Sequence, residues 1–228
     1  MKTAMVHSGP VTPIRDLIPP MLRHLLEVRG TEFVRQIGEN VIRQVILDVM
    51  CGRNLRDATE MLTRRRIALV NAGLVMLFLK GARTDADFVN RLTDLAGDEW
   101  RQSRSRSDRW VLQWLLGLTD TAAQNVLRDD PSALDTYKEQ YLQVAREVVE
   151  ECERNFGTLQ GTLGLDGEEW AQLNWVFLYH LLNTVEASTL AIRGSEKSVY
   201  GKLFERVITY LGSVGRGEPS TNASRMHE

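Results

Sequence analysis

The residues best placed for chemistry lie near the end of the chain, in Arg193-Gly194-Ser195-Glu196-Lys197-Ser198-Val199-Tyr200-Gly201-Lys202-Leu203-Phe204-Glu205. Two glycines, two serines and three positive charges crowd the point where Ser195 or Ser198 is expected to start a helix. Backbone N–H groups point outward at such a start and, with the hydroxyl and cationic side chains, would make an anion site. Gly201, lacking a side chain, lets a phosphate or another backbone come close. Glu205 stands one turn further in, three residues after Lys202. These residue types suit phosphate binding, with one carboxylate in reach. The plainer account is a flexible link followed by a helix carrying a surface ion pair.

Two further basic stretches bear on the same chemistry. Arg64-Arg65-Arg66 falls in mid-helix, where three successive side chains fan over more than half the circumference, so at least one must face outward. Trp100-Arg101-Gln102-Ser103-Arg104-Ser105-Arg106-Ser107-Asp108-Arg109-Trp110 alternates arginine with small hydroxyl residues between two tryptophans. Guanidinium and hydroxyl groups both bond phosphate oxygens, so Arg101, Arg104 and Arg106 can follow a nucleic-acid backbone; a solvated link between helices has the same composition. Only five of the 28 basic residues are lysine, leaving 23 arginines. Arginine offers a flat fork of donors to phosphate or guanine that lysine lacks.

Other catalytic constellations are missing. The four histidines stand at 7, 24, 180 and 227, none at metal-ligand spacing from a second ligand. His180, beside Tyr179 on an apolar helix, reads as a hydrogen-bonded core histidine. Cys51 and Cys152 are far apart and read as reduced thiols. Gly157-Thr-Leu-Gln-Gly161-Thr-Leu-Gly164 lacks the Lys-Ser/Thr ending of a phosphate loop and reads as a connector. No Gly-x-Ser-x-Gly elbow is present.

The elements that must position these groups all show helical periodicity. Pro19-Pro20 opens a short helix stopping at Gly30, and Thr31 caps a second one ending before Gly52. Asn54 starts a third that runs to Lys80 and is apolar on nearly every side from Ile67 to Leu79, as befits the centre of a helical domain. Further helices are expected over Asp85–Leu95 and Ser107–Leu116. Another runs from Pro131 to Phe156, with a stripe of Leu134, Tyr137, Tyr141, Val144, Val148 and Cys152. Asp166-Gly-Glu-Glu169 reads as a capping box opening a helix with Trp170, Leu173, Phe177, Leu181 and Val185 inward, ending at Gly194. No alternating strand pattern is apparent. The expected fold is all-α, a multi-helix bundle with a disordered polar tail from Gly212 and no catalytic sheet.

Composition narrows the partners. The chain has 228 residues, 43% hydrophobic and 25% charged, with a net charge of −2, which argues against a globally basic nucleic-acid binder but leaves room for a local basic face. Met1–Pro13 has no apolar core, so it does not read as a signal peptide, and a cytoplasmic location is expected. The longest apolar run, Ile67–Leu79, is broken by Asn71 and falls short of the roughly 20 residues that span a bilayer, so no membrane association is expected.

The pattern Gly-Ser-x-Lys-Ser-x-Tyr-Gly-Lys-x-Phe-Glu over residues 194–205 resembles a segment of type II restriction endonucleases with the PD-(D/E)xK nuclease core, and is most similar to their CfrBI-type group. About a dozen residues carry the match. The resemblance implies double-stranded DNA as partner, a homodimer, and hydrolysis of phosphodiesters with Mg²⁺. It implies Glu205 as a metal-site carboxylate, Lys202 as a catalytic candidate, and Ser195, Lys197 and Ser198 near the DNA backbone. One departure is severe. The core needs an Asp/Glu-x-Lys, yet Phe78, Thr136, Ser195 and Tyr200 stand two before Lys80, Lys138, Lys197 and Lys202, and Lys2 is too near the start. The expectation is therefore a truncated enzyme, inactive alone, with a helical accessory domain over 1–192, the first core helix over 193–211 and a disordered tail over 212–228. The alternatives are a non-catalytic helical DNA-binding module using the arginine clusters, or an interaction protein docking through its tryptophans.

Overall fold

A computed structural model describes residues 12–27, 37–127 and 131–215. Helix accounts for 78% of the chain, with a single two-stranded sheet among the described residues. The helices are α1 (Ile14–Leu17), α2 (Pro20–Leu26), α3 (Glu39–Met50), α4 (Leu55–Thr84), α5 (Phe88–Gln102), α6 (Arg106–Leu115), α7 (Asp120–Leu127), α8 (Pro131–Phe156) and α9 (Trp175–Gly215). Strands β1 (Gly161–Leu165) and β2 (Glu168–Leu173) fall between α8 and α9. The mostly helical expectation holds, with the hairpin as its correction. The expected cap at Thr31 and the expected tail beyond residue 215 lie outside the described residues, while 212–215 continue α9.

Contacts divide the chain into two compact units. One comprises residues 1–19 and 73–187, the other 20–72 and 188–228, so that α4 and α9 each contribute a segment to both. In the first unit Phe78 meets Phe88 edge to face at 6.4 Å between centroids, and Phe177 at 5.7 Å. Gly81 lies inside α4 rather than beyond it; a Cβ there would stand 2.4 Å from the Phe88 ring, so the close approach requires glycine. By length and composition α4 is apolar enough to cross a membrane. Its Val70, Leu74, Leu77 and Phe78 are fully buried in the protein, while 39% of the apolar window as a whole is buried.

Polar residues start three of the helices, at Asn54 as the sequence suggests, but at Ser105 rather than Ser107 and at Asn174 rather than Asp166. Asn54 accepts from the Arg56 amide at 2.9 Å, Ser105 from Asp108, and Asn174 from Phe177. The α8 stripe is buried only in part: Leu134, Tyr141 and Ala145 are enclosed, while Val144, Val148 and Phe156 are exposed. His180 is buried and its Nδ1 is hydrogen-bonded to the Tyr141 hydroxyl at 3.2 Å, as expected of a core histidine. Tyr137 and Tyr179 flank Tyr141, with ring centroids 6.3 and 5.6 Å away, and the Tyr137 hydroxyl donates to the Leu116 carbonyl at 2.8 Å.

The stretch expected to be connector and capping box is a β-hairpin. Leu165 pairs with Glu168 across a two-residue turn in which Asp166 and Gly167 take φ of 52° and 81°. Two left-handed residues in succession make the turn whose twist matches antiparallel strands, and Asp-Gly is a preferred pair for it. Leu163 faces Ala171 and Gly164 faces Glu169, leaving Trp170 as the extra residue of a bulge. A Cβ on Gly164 would lie 2.7 Å from the Glu168 carbonyl oxygen, so the bulge is built around glycine. Consequently Trp170 and Leu173 are strand residues, and the helix starts at Trp175. It then passes through Gly194 without a break.

Candidate nucleic-acid interface

Within the unit formed by residues 20–72 and 188–228, two basic stretches far apart in sequence come together. On α4, Arg64 and Arg65 are exposed and Arg66 is 2% exposed. The division follows from the helix: Leu62, Arg66 and Val70 repeat every four residues along a buried stripe, with 64 and 65 rotated away from it. The Arg66 Nε donates to the Leu25 carbonyl oxygen at 3.1 Å. Burial pulls its pKa down, while the neighbouring Tyr200 hydroxyl acts in the opposite sense. Arg66 therefore braces α2 rather than facing solvent.

Glu60, one turn before Arg64, joins α4 to α9. Its Oε1 accepts from Arg64 Nε at 2.7 Å, and Arg193 Nη1 and Nη2 reach its two oxygens at 3.5 Å. Arg64 first, and Arg193 with it, hold the Glu60 carboxyl below the usual carboxylate range. Beyond Arg193, the exposed residues Gly194, Ser198, Lys202 and Glu205 follow at spacings of four, four and three, forming one solvent-facing stripe. Ile192 and Tyr200 occupy the buried side. Ser195 turns its hydroxyl back to the Ile192 carbonyl at 3.0 Å. The side chain of Lys197 lies outside the described residues.

The expected helix start at Ser195 or Ser198 is not formed. These residues lie in the middle of a 41-residue helix, whose interior N–H groups are bonded along the helix and offer nothing to an anion. What remains is a set of side chains: Arg64 and Arg193 meet on the Glu60 carboxylate, Arg65 is exposed elsewhere on α4, and Ser198, Lys202 and Glu205 are exposed along α9.

The other basic stretch lies in the first unit and is largely committed to internal contacts. Arg101 pairs with Asp135 at 3.0 Å and Asp98 at 3.6 Å. Arg106 covers the Trp110 ring at 4.8 Å, and Arg109 covers Trp100 at 5.0 Å. Arg104 is exposed at the rim of a cleft of about 500 Å³, whose wall also carries Arg15, Glu99 and Asp108. That wall is of mixed charge, as is the α4/α9 surface with its Glu60 and Glu205.

The restriction-enzyme resemblance implies a divalent metal. Among the described residues no group of three His, Cys, Asp or Glu side chains is placed to hold one. Glu205 is exposed on its helix, so these residues do not fit a metal centre. Sequence reasoning missed Glu60, although Glu60 and Arg64 stand at the i, i+4 spacing of a helix ion pair. It also missed the hairpin's anchor, in which Arg83 pairs with Glu168 at 2.7 Å and covers Trp170 at 4.5 Å.

The model of the CfrBI restriction endonuclease family matches residues 39–214, and the chain belongs to that family. Among its relatives is the type II restriction enzyme CfrBI of Citrobacter freundii, 28% identical over 200 residues that cover 88% of this chain and 54% of that protein. The chain thus spans about half the length of the curated relative it matches. No solved structure matches it.

Proposed function

We propose that this chain is the helical, DNA-engaging part of a type II restriction endonuclease. On this reading it contacts the backbone of double-stranded DNA through Arg64, Arg65, Arg193, Ser198 and Lys202. The observation that carries the reading is the meeting of α4 and α9 at Glu60, which brings Arg64 and Arg193 together from two segments that both lie inside the family match. The sequence contains no Asp/Glu-x-Lys, and the described residues hold no metal cluster. Hydrolysis with Mg²⁺ would then depend on polypeptide outside this sequence, and this chain by itself is inactive. A homodimer acting on intracellular DNA in the cytoplasm completes the proposal.

Fluorescence anisotropy with a short duplex tests the DNA contact. Neutralising Arg64 and Arg65 together is expected to lower affinity and to flatten the log–log salt dependence by about 1.8, at about 0.9 per phosphate contact. An unchanged slope removes the α4 contact from the reading. Incubation of the chain with plasmid and Mg²⁺ is expected to leave the plasmid intact, and site-specific fragments would refute the inactivity. Light scattering is expected to return twice the mass of one chain.

A second reading, a protein-interaction module, is favoured by the exposed Val144, Val148 and Phe156 on α8. Of the tryptophans in the alternative reading, Trp114 is buried, while Trp100, Trp110, Trp170 and Trp175 are half-buried.

A further inference from the structure

Glu60 is the carboxylate that bridges Arg64 on α4 and Arg193 on α9. Its side chain is about one third exposed, while Arg64 is two thirds and Arg193 nearly half exposed, so a solute reaches all three. Arg64 is held tightly at 2.7 Å, and Arg193 loosely through two contacts of 3.5 Å at the limit of a hydrogen bond. A carboxylate and a phosphate present the same kind of oxygen pair to a guanidinium fork. The place Glu60 occupies is thus one that a DNA phosphate would fill with the same donors.

We infer that Glu60 is an internal counter-anion, holding Arg64 and Arg193 together until a backbone phosphate takes its place. The inference rests on the DNA-binding reading of this face. A carboxylate in that position does two opposed things. It keeps two like charges side by side and pre-oriented, and it repels the incoming phosphate. Part of the cationic charge is neutralised before DNA arrives, so fewer counterions are released on binding than the two arginines alone would release. The repulsion acts on any duplex, whatever its sequence, and so lowers non-specific affinity.

The test compares the full chain with Glu60→Gln, Glu60→Asp and Arg193→Ala, by anisotropy with an arbitrary 20-base-pair duplex over a salt series. Glu60→Gln keeps the shape and removes the charge. It is expected to bind about tenfold tighter at low salt, with a log–log slope steeper by about 0.9. Glu60→Asp keeps the charge and is expected to stay near the parent affinity. Adding Arg193→Ala to Glu60→Gln is expected to cancel most of the gain. If Glu60→Gln binds no tighter while the parent chain binds, Glu60 only braces α4 against α9 and the inference is overturned. Equal tightening by Glu60→Asp also overturns it, since charge would not be the cause. If the parent chain does not bind the duplex at low salt, the DNA reading of the face itself fails, a result distinct from the other two.

Discussion

Three consecutive arginines on α4 divide between water and the interior, and only the fold decides which. From sequence, Arg66 is expected to contact DNA with Arg64 and Arg65; in the fold it falls on the buried Leu62–Val70 repeat, and that correction comes from packing rather than from charge. His180 was legible as a core residue because its surroundings are apolar at helical spacing. Burial lowers its pKa from 6.5 to about 4, so the folded protein holds it neutral at neutral pH. Below about pH 6.5 the unfolded chain takes up a proton that the folded chain refuses. This contribution to stability is complete above 6.5, is lost as the pH falls towards 4, and is level below that. The loss is on the order of 3 kcal/mol, at about 1.4 kcal/mol per unit. Urea midpoints at pH 7 and pH 5 check it: the drop between them is expected to shrink in His180→Gln, and an equal drop in both proteins refutes the assignment.

Among the elements, most helices were readable from periodicity and caps, whereas the hairpin and the continuity of α9 were not. Asp166-Gly167 followed by two glutamates satisfies both a capping box and a tight hairpin turn, and the choice lies with pairing partners that are not local. Gly164→Ala is expected to destabilise the protein by about 1–3 kcal/mol, because the added methyl meets a carbonyl oxygen that cannot turn aside. Thermal melting measures this, and an unchanged midpoint would mean the bulge is not as described. Glycine at 194 suggested a helix end because glycine is common there. In the fold it is exposed, with open space where a Cβ would stand. Gly194→Ala should therefore stabilise by about 0.5–1 kcal/mol, as in an ordinary helix interior. A loss of stability would place a break at that position.

For the molecule as a whole, the family match over residues 39–214 includes parts of both compact units. The short 194–205 pattern was enough to find the family because it mixes glycine, serine, lysine and an aromatic at fixed offsets, a combination that helix-forming needs alone do not dictate. The site geometry was less legible. Glu60 and Arg193 stand 133 residues apart, and nothing local to either announces the other.

The cluster of Tyr137, Tyr141 and Tyr179 around His180 has an optical consequence. Burial, with the neighbouring phenols adding to it, pushes Tyr137 up to about 12 and raises Tyr141 well above its ordinary value; burial also raises Tyr179. At about pH 11 a free phenol has already ionised, whereas Tyr137 and Tyr141 should still be dark in the phenolate absorbance band. Their delayed appearance in an alkaline titration would give a label-free clock for the opening of this core.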